Sequence, residues 1–136
     1  MNKIIFRNDD GSVSVITPAL DCDLTFDEVL AKDVPMNAVY QVINTDELPI
    51  DRLFRNAWEL SGNVVTENLG KSKVIAHEKC QVMRNAEMKP LDLLATIPAQ
   101  AAKAEKDRQV IRDKYAVMQQ NIDNCVNVVD LRKTIT

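Results

Sequence analysis

A chain of 136 residues that is 46% hydrophobic, 27% charged and 4% aromatic fits one globular domain with a mostly aliphatic core. The net charge of −3 hides an asymmetry: residues 1–51 carry ten acids against three bases and residues 52–136 ten acids against fourteen bases, so the halves are −7 and +4. No stretch approaches the roughly 18 apolar residues that span a bilayer, and the bases are too interleaved with acids, and too short of aromatic company, for a nucleic-acid stripe.

The opening MNKIIFRNDDG turns charged where a signal peptide would continue its apolar run, so a cytosolic product is expected. Cys22, Cys80 and Cys125 are odd in number and lack CxxC spacing, which argues for reduced, mostly buried thiols and against a disulfide framework. The charge polarity could steer a basic partner to the front or an acidic one to the back, or simply draw the halves together.

In chain order, Ile4, Ile5 and Phe6 precede Asn8-Asp9-Asp10-Gly11, and Val13 and Val15 alternate with serines, a β-hairpin pattern. The acids of that turn lack the ligand repeat of a calcium loop and are turn formers in their own right. Thr25 and Glu28 stand at capping-box spacing ahead of a short helix that ends before Pro35. AVYQVI predicts a third strand, completing a small antiparallel sheet. Asp51 can cap the segment beyond Pro49. In DRLFRNAWEL, Leu53, Ala57 and Leu60 fit one helical face, while AWELSGNVV also fits a hairpin around Ser61-Gly62-Asn63; the pattern leans to helix before Gly62 and extended chain after it.

From Lys71 onward Ile75, Val82, Met83, Ala86, Leu93, Leu94 and Ile97 fall within about a 120° arc at 100° per residue, a stripe expected to pack on a neighbour. Pro90 lies inside this pattern and predicts either a bent helix or two helices meeting near Lys89. Pro98 suits the first turn of the next helix, where Ala104, Arg108, Ile111, Tyr115, Met118, Ile122 and Cys125 recur every three or four residues. The two should form an antiparallel helical hairpin, with a short helix after it capped by Asn127. The expected fold class is therefore α+β: a small N-terminal antiparallel sheet (hairpin plus one strand), an antiparallel helical hairpin and a short C-terminal helix. One domain, 1–136, comprises a sheet-rich acidic part (1–50), a tryptophan-bearing segment (51–70) and a helical part (71–136).

The residues offer little chemistry. His77 and Cys80 stand three apart on a helix, but structural zinc needs about four ligands and no second close pair exists. His77 projects opposite the apolar stripe, as a solvated histidine would. Cys80 and Cys125 fall at the edge of or within apolar stripes, as core thiols do. There is no GxxxxGK[ST], GxGxxG or GxSxG, and three glycines leave little material for a phosphate-cradling loop. No catalytic, cofactor-binding or metal-ligating residue is assigned, and neither an enzyme activity nor a cofactor is expected. Trp58 is the one tryptophan, expected to be a buried anchor between the sheet and the helical half, with Arg52, Arg55 and Asn56 beside it as candidate protein-interaction residues, since Trp and Arg are enriched in binding hot spots.

Pro49, Asp51, Arg52, Phe54, Arg55, Asn56, Ala57 and Trp58 resemble the Pro-x-Asp-Arg-x-Phe-Arg-Asn-Ala-Trp signature of a set of small phage-encoded proteins often found near virion and tail genes. The similarity extends through EVLAKDVP, YQVI, KSKVIAHEKCQVMRNAEMKPLD and VIRDKYAVMQQNID, most of the chain. It implies a phage protein of the host cytoplasm or the virion, a minor virion or tail component or an assembly factor acting on a protein partner, and it brings no catalytic residues. An inhibitor or adaptor that binds a host complex through the acidic half is the alternative expectation.

Overall fold

The turn cluster Asn8–Gly11 closes the first hairpin in the way its side chains dictate. Asn8 Nδ2 donates to Ser12 Oγ and Ser14 Oγ, each at 2.9 Å, Asp10 Oδ1 accepts from the Ser12 amide at 2.9 Å, and Gly11 takes φ +85°. The computed structural model describes residues 1–21 and 23–136; Cys22, expected as a reduced thiol, lies outside the described residues. Two compact units divide the chain, Met1–Asn68 and Leu69–Thr136.

In the first unit, β1 (Asn2–Arg7) pairs antiparallel with β2 (Val13–Ile16) on one side and with β3 (Tyr40–Asn44) on the other, giving the order β2-β1-β3. Ile4, Ile5 and Phe6 are all buried, so the central strand is covered on both faces and departs from simple in-and-out alternation. Helix α1 (Phe26–Asp33) begins at the expected capping box: the Glu28 amide donates to Thr25 Oγ1 at 3.3 Å and the Thr25 amide to Glu28 Oε2 at 2.6 Å. Asn44 and Glu47 form a second capping box, at the head of a 3₁₀ turn over Thr45–Glu47.

The segment 52–60 is not the α-helix towards which its sequence leans. A 3₁₀ turn, Arg55–Ala57, leads into β4 (Trp58–Ser61), which pairs antiparallel with β5 (Val64–Glu67). Ser61 faces Val64 in the register, leaving a two-residue loop with Gly62 at φ +60°, where a type II′ hairpin turn puts its glycine. Trp58 and Val65 both turn into the core only in this extended geometry.

The second unit is helical. Helix α2 (Leu69–Leu94) runs without a break through Pro90, so the expected alternative of two helices meeting near Lys89 does not occur. The antiparallel hairpin does: Glu87 meets Lys114 and Asp92 meets Arg108 at 3.0 and 3.1 Å, while Lys73 and His77 reach Asp123 at the far end of α3 (Ala101–Asn124). Pro98 falls in the link between these helices and not in the first turn of α3. A short helix α4 (Val128–Ile135) packs on both, capped as expected by Asn127, whose Oδ1 accepts from the Asp130 amide at 2.8 Å. None of the helices of the described residues is long and apolar enough to cross a membrane.

The α3 stripe is the buried one, with Ala104, Tyr115 and Ile122 inside. On α2 the buried residues are Ser72, Ala76, Cys80 and Met88, a face turned about 100° from the expected stripe at 100° per residue. Val82 and Leu93 of that stripe are 68% and 67% exposed. Small side chains let a neighbouring helix approach closely, so the packing face of α2 is one that side-chain hydrophobicity alone does not single out.

Candidate protein-interaction site

The turn that carries Arg52, Arg55 and Asn56 is fixed from its own backbone outward. Asp51 Oδ1 accepts from the Leu53 amide at 3.0 Å, the Arg55 amide donates to Arg52 O at 3.1 Å, and the Ala57 amide to Phe54 O at 2.9 Å. The Asn68 amide closes on Ala57 O at 2.9 Å, tying the turn to the end of β5. Phe54 and Ala57 are fully buried and pin the turn to the core, while Arg52 and Asn56 are exposed.

Trp58 is 3% exposed and sits among Ile5, Val13, Ile43 and Val65. Trp58 is buried as expected, and its neighbours in this cluster are on strands of the three-stranded sheet and of its own hairpin. The guanidinium carbon of Arg55 lies 4.5 Å from the centre of the indole ring, a cation–π stack with the ring inside and the charge towards the surface. Burial, and then the like charge of Arg52, hold the Arg55 pKa below the ordinary arginine value. Trp58 Nε1 has no hydrogen-bond partner among the described residues.

Two clefts adjoin the turn. One of about 510 Å³ is lined by Lys3, Asp46, Leu48, Ile50, Arg52 and Trp58, and one of about 520 Å³ by Asp10, Ser12, Ser14, Arg55 and Asn56. The four sequence-predicted residues thus divide between the two clefts, Arg52 and Trp58 lining one and Arg55 and Asn56 the other, with Arg55 stacked on Trp58. Lys3, Leu48 and Ile50 carry no local signal in the sequence because they arrive through long-range pairing: β1 meets β3, and the Thr45 amide donates to Met1 O at 3.0 Å.

The remaining chemical candidates are in the second unit. His77 is half-buried, its side chain 34% exposed, and its Nε2 lies 2.7 Å from the exposed Asp123 Oδ1. The rotated packing face accounts for the partial burial, because a histidine opposite the aliphatic stripe is close to the face that packs. Cys80 is buried and its thiol pKa is raised by desolvation, as a core cysteine's should be. Cys125 is half-buried, its Sγ donating to Asn121 O at 3.1 Å. No cluster of three or more His, Cys, Asp or Glu side chains able to hold a metal ion occurs among the described residues.

No family model, no curated protein and no solved structure matches the chain. The site must be read from its own geometry.

Proposed function

We propose that this protein works by protein–protein contact and not by catalysis, as a minor virion or tail component or an assembly factor of a phage. The observation that carries the contact role is a turn pinned by Phe54 and Ala57 that presents the exposed Arg52 and Asn56, with Arg55 stacked on the buried Trp58. Arginines held on a turn whose other side chains are locked in the core lose little conformational freedom on binding, which is how a small surface acquires affinity. The resemblance of Pro49–Trp58 to a phage signature supports the setting.

Mass spectrometry of density-purified virions and of soluble lysate, from infections with wild type and with Arg52→Glu/Arg55→Glu, tests the reading. Wild-type recovery in particles or assembly intermediates, lost in the double variant, is the expected result. Absence from particles and assembly intermediates, with particle yield unchanged by deletion, would sink the proposal.

A second reading has its own observation. Residues 1–68 carry twelve acids against five bases, a field suited to a basic surface on a host complex. Retention of that complex in a pull-down should then fall with salt and with Asp21→Lys/Asp33→Lys; equal retention by the reversed form would remove the electrostatic case.

A further inference from the structure

Part of the aliphatic stripe of α2 is on its outside. Val82 and Leu93 are 68% and 67% exposed, Ala86 is exposed and Ile75 half-buried, all four within one narrow arc of the helix. From Ile75 to Leu93 the row is about 27 Å long, and Lys79 and Lys89, both exposed, lie along it with Glu78 at one edge. An apolar row of this length on a helix that already has a packed face is the mark of a contact surface.

The chain also carries a counterpart. Met36 is 91%, Val39 50%, Tyr40 43% and Val42 44% exposed, on the edge strand β3 and the residues leading into it. Met36 and Val39 line a cleft of about 580 Å³ with Asp9, Gly11 and Pro35. This patch belongs to a unit with twelve acids and five bases, and the α2 row to a unit with eight acids and twelve bases, so their net charges are −7 and +4.

We infer that the occupant of the α2 row is a second copy of this chain, which docks its Met36–Val42 patch there in a head-to-tail contact. A two-fold contact of α2 with itself is disfavoured by the spacing. An antiparallel pairing that sets Ile75 on Leu93 and Val82 on Ala86 also sets Lys79 on Lys89, and a parallel one sets each lysine on its twin. The unlike units attract where like ones repel. Because the two surfaces differ, a single docking leaves one free surface on each copy, and the contact closes into a ring, of which a reciprocal dimer is the smallest, or runs on as an open chain. The inference uses none of the residues of the Arg52–Trp58 turn, so it stands or falls independently of the proposed phage role.

Sedimentation velocity of the full chain from about 5 to about 500 μM, a range suited to a weak interface of ordinary size, tests it. The mean mass should climb to at least twice the 15.3 kDa chain and fall back when salt is raised from about 0.05 to about 0.5 M. Val82→Glu/Leu93→Glu and Met36→Ser/Val39→Ser, each checked for folding by circular dichroism, should be monomeric alone. Mixed in equal amounts they should give a capped dimer through the one native surface left on each. A chain that remains monomeric throughout overturns the inference, as does a dimer of fixed mass that Met36→Ser/Val39→Ser leaves intact.

Discussion

Replacing Trp58 separates its two contributions to the first unit. Trp58→Ala empties a site walled by Ile5, Val13, Ile43 and Val65 and removes the platform under Arg55, for which a loss of about 3–5 kcal/mol is expected. Trp58→Phe keeps an aromatic ring in the core and under Arg55. It gives up roughly 50 Å² of apolar burial, about 1 kcal/mol at 25 cal/mol per Å². Against that, it removes an indole N–H that is buried without a partner among the described residues, a relief of about 1–3 kcal/mol. The phenylalanine variant should therefore lie within about 1 kcal/mol of wild type or slightly above it, although it too deletes the tryptophan. Native-state hydrogen exchange of the β1 amides reports the opening free energy of this unit without needing indole fluorescence. If Phe cost as much as Ala, the account would be refuted: shape fit of the whole indole, and not burial set against an unpaired donor, would then govern the site.

The second unit is open to four further tests. Pro90→Ala restores an N–H inside a continuous helix at an exposed position and should stabilise the unit by about 1–3 kcal/mol, read as a raised Tm. Asn127→Ala removes the acceptor of the Asp130 amide and should cost about 1 kcal/mol, with faster exchange throughout α4. The hydrogen bond from Lys114 holds the Glu87 pKa below its ordinary 4.5, so the bridge's stabilisation is full above that value and lost as pH falls through the lower folded pKa. Lys114→Met should flatten acid unfolding in that window, and an unchanged pH profile would count against the bridge. Between the two described thiols, iodoacetamide should label Cys125 first and the buried Cys80 only on unfolding, as peptide mapping would reveal.

Where a local rule and its long-range setting agree, the fold is legible in the sequence. Asn8–Gly11 makes a turn whatever surrounds it, Thr25 with Glu28 and Asn127 with Asp130 satisfy helix ends from within a few residues, and AVYQVI joins the sheet of the first hairpin as expected. Asn44 and Glu47 carry the same signature as Thr25 and Glu28, but with no apolar run after them it does not stand out as a helix start. Segment 52–60 is ambiguous for a physical reason. Leu53, Ala57 and Leu60 satisfy a helix, and the decision for a hairpin comes from burying Trp58 against β1–β3, a gain invisible within the segment. The same long-range pairing brings Lys3 and Ile50 to the candidate site, so its centre can be read locally and its rim cannot.

Helix α2 shows how a correct periodicity can be assigned to the wrong surface. Its large aliphatics do form a stripe, and the expectation that a stripe is packed rests on their being the residues a core wants most. The packing face instead uses Ser72, Ala76, Cys80 and Met88, and the first three contribute little hydrophobic area each, so Met88 is the one large apolar side chain on it. Two apolar faces on one helix then have different owners. The face of Ser72, Ala76, Cys80 and Met88 is packed inside the unit, where α2 meets α3 and α4, and the exposed aliphatic row is the one inferred to meet a second copy. The rotation of about 100° between them also explains why His77 moves from the solvent side to a bridge with Asp123: fixing which face is inside fixes the environment of every other residue on the helix.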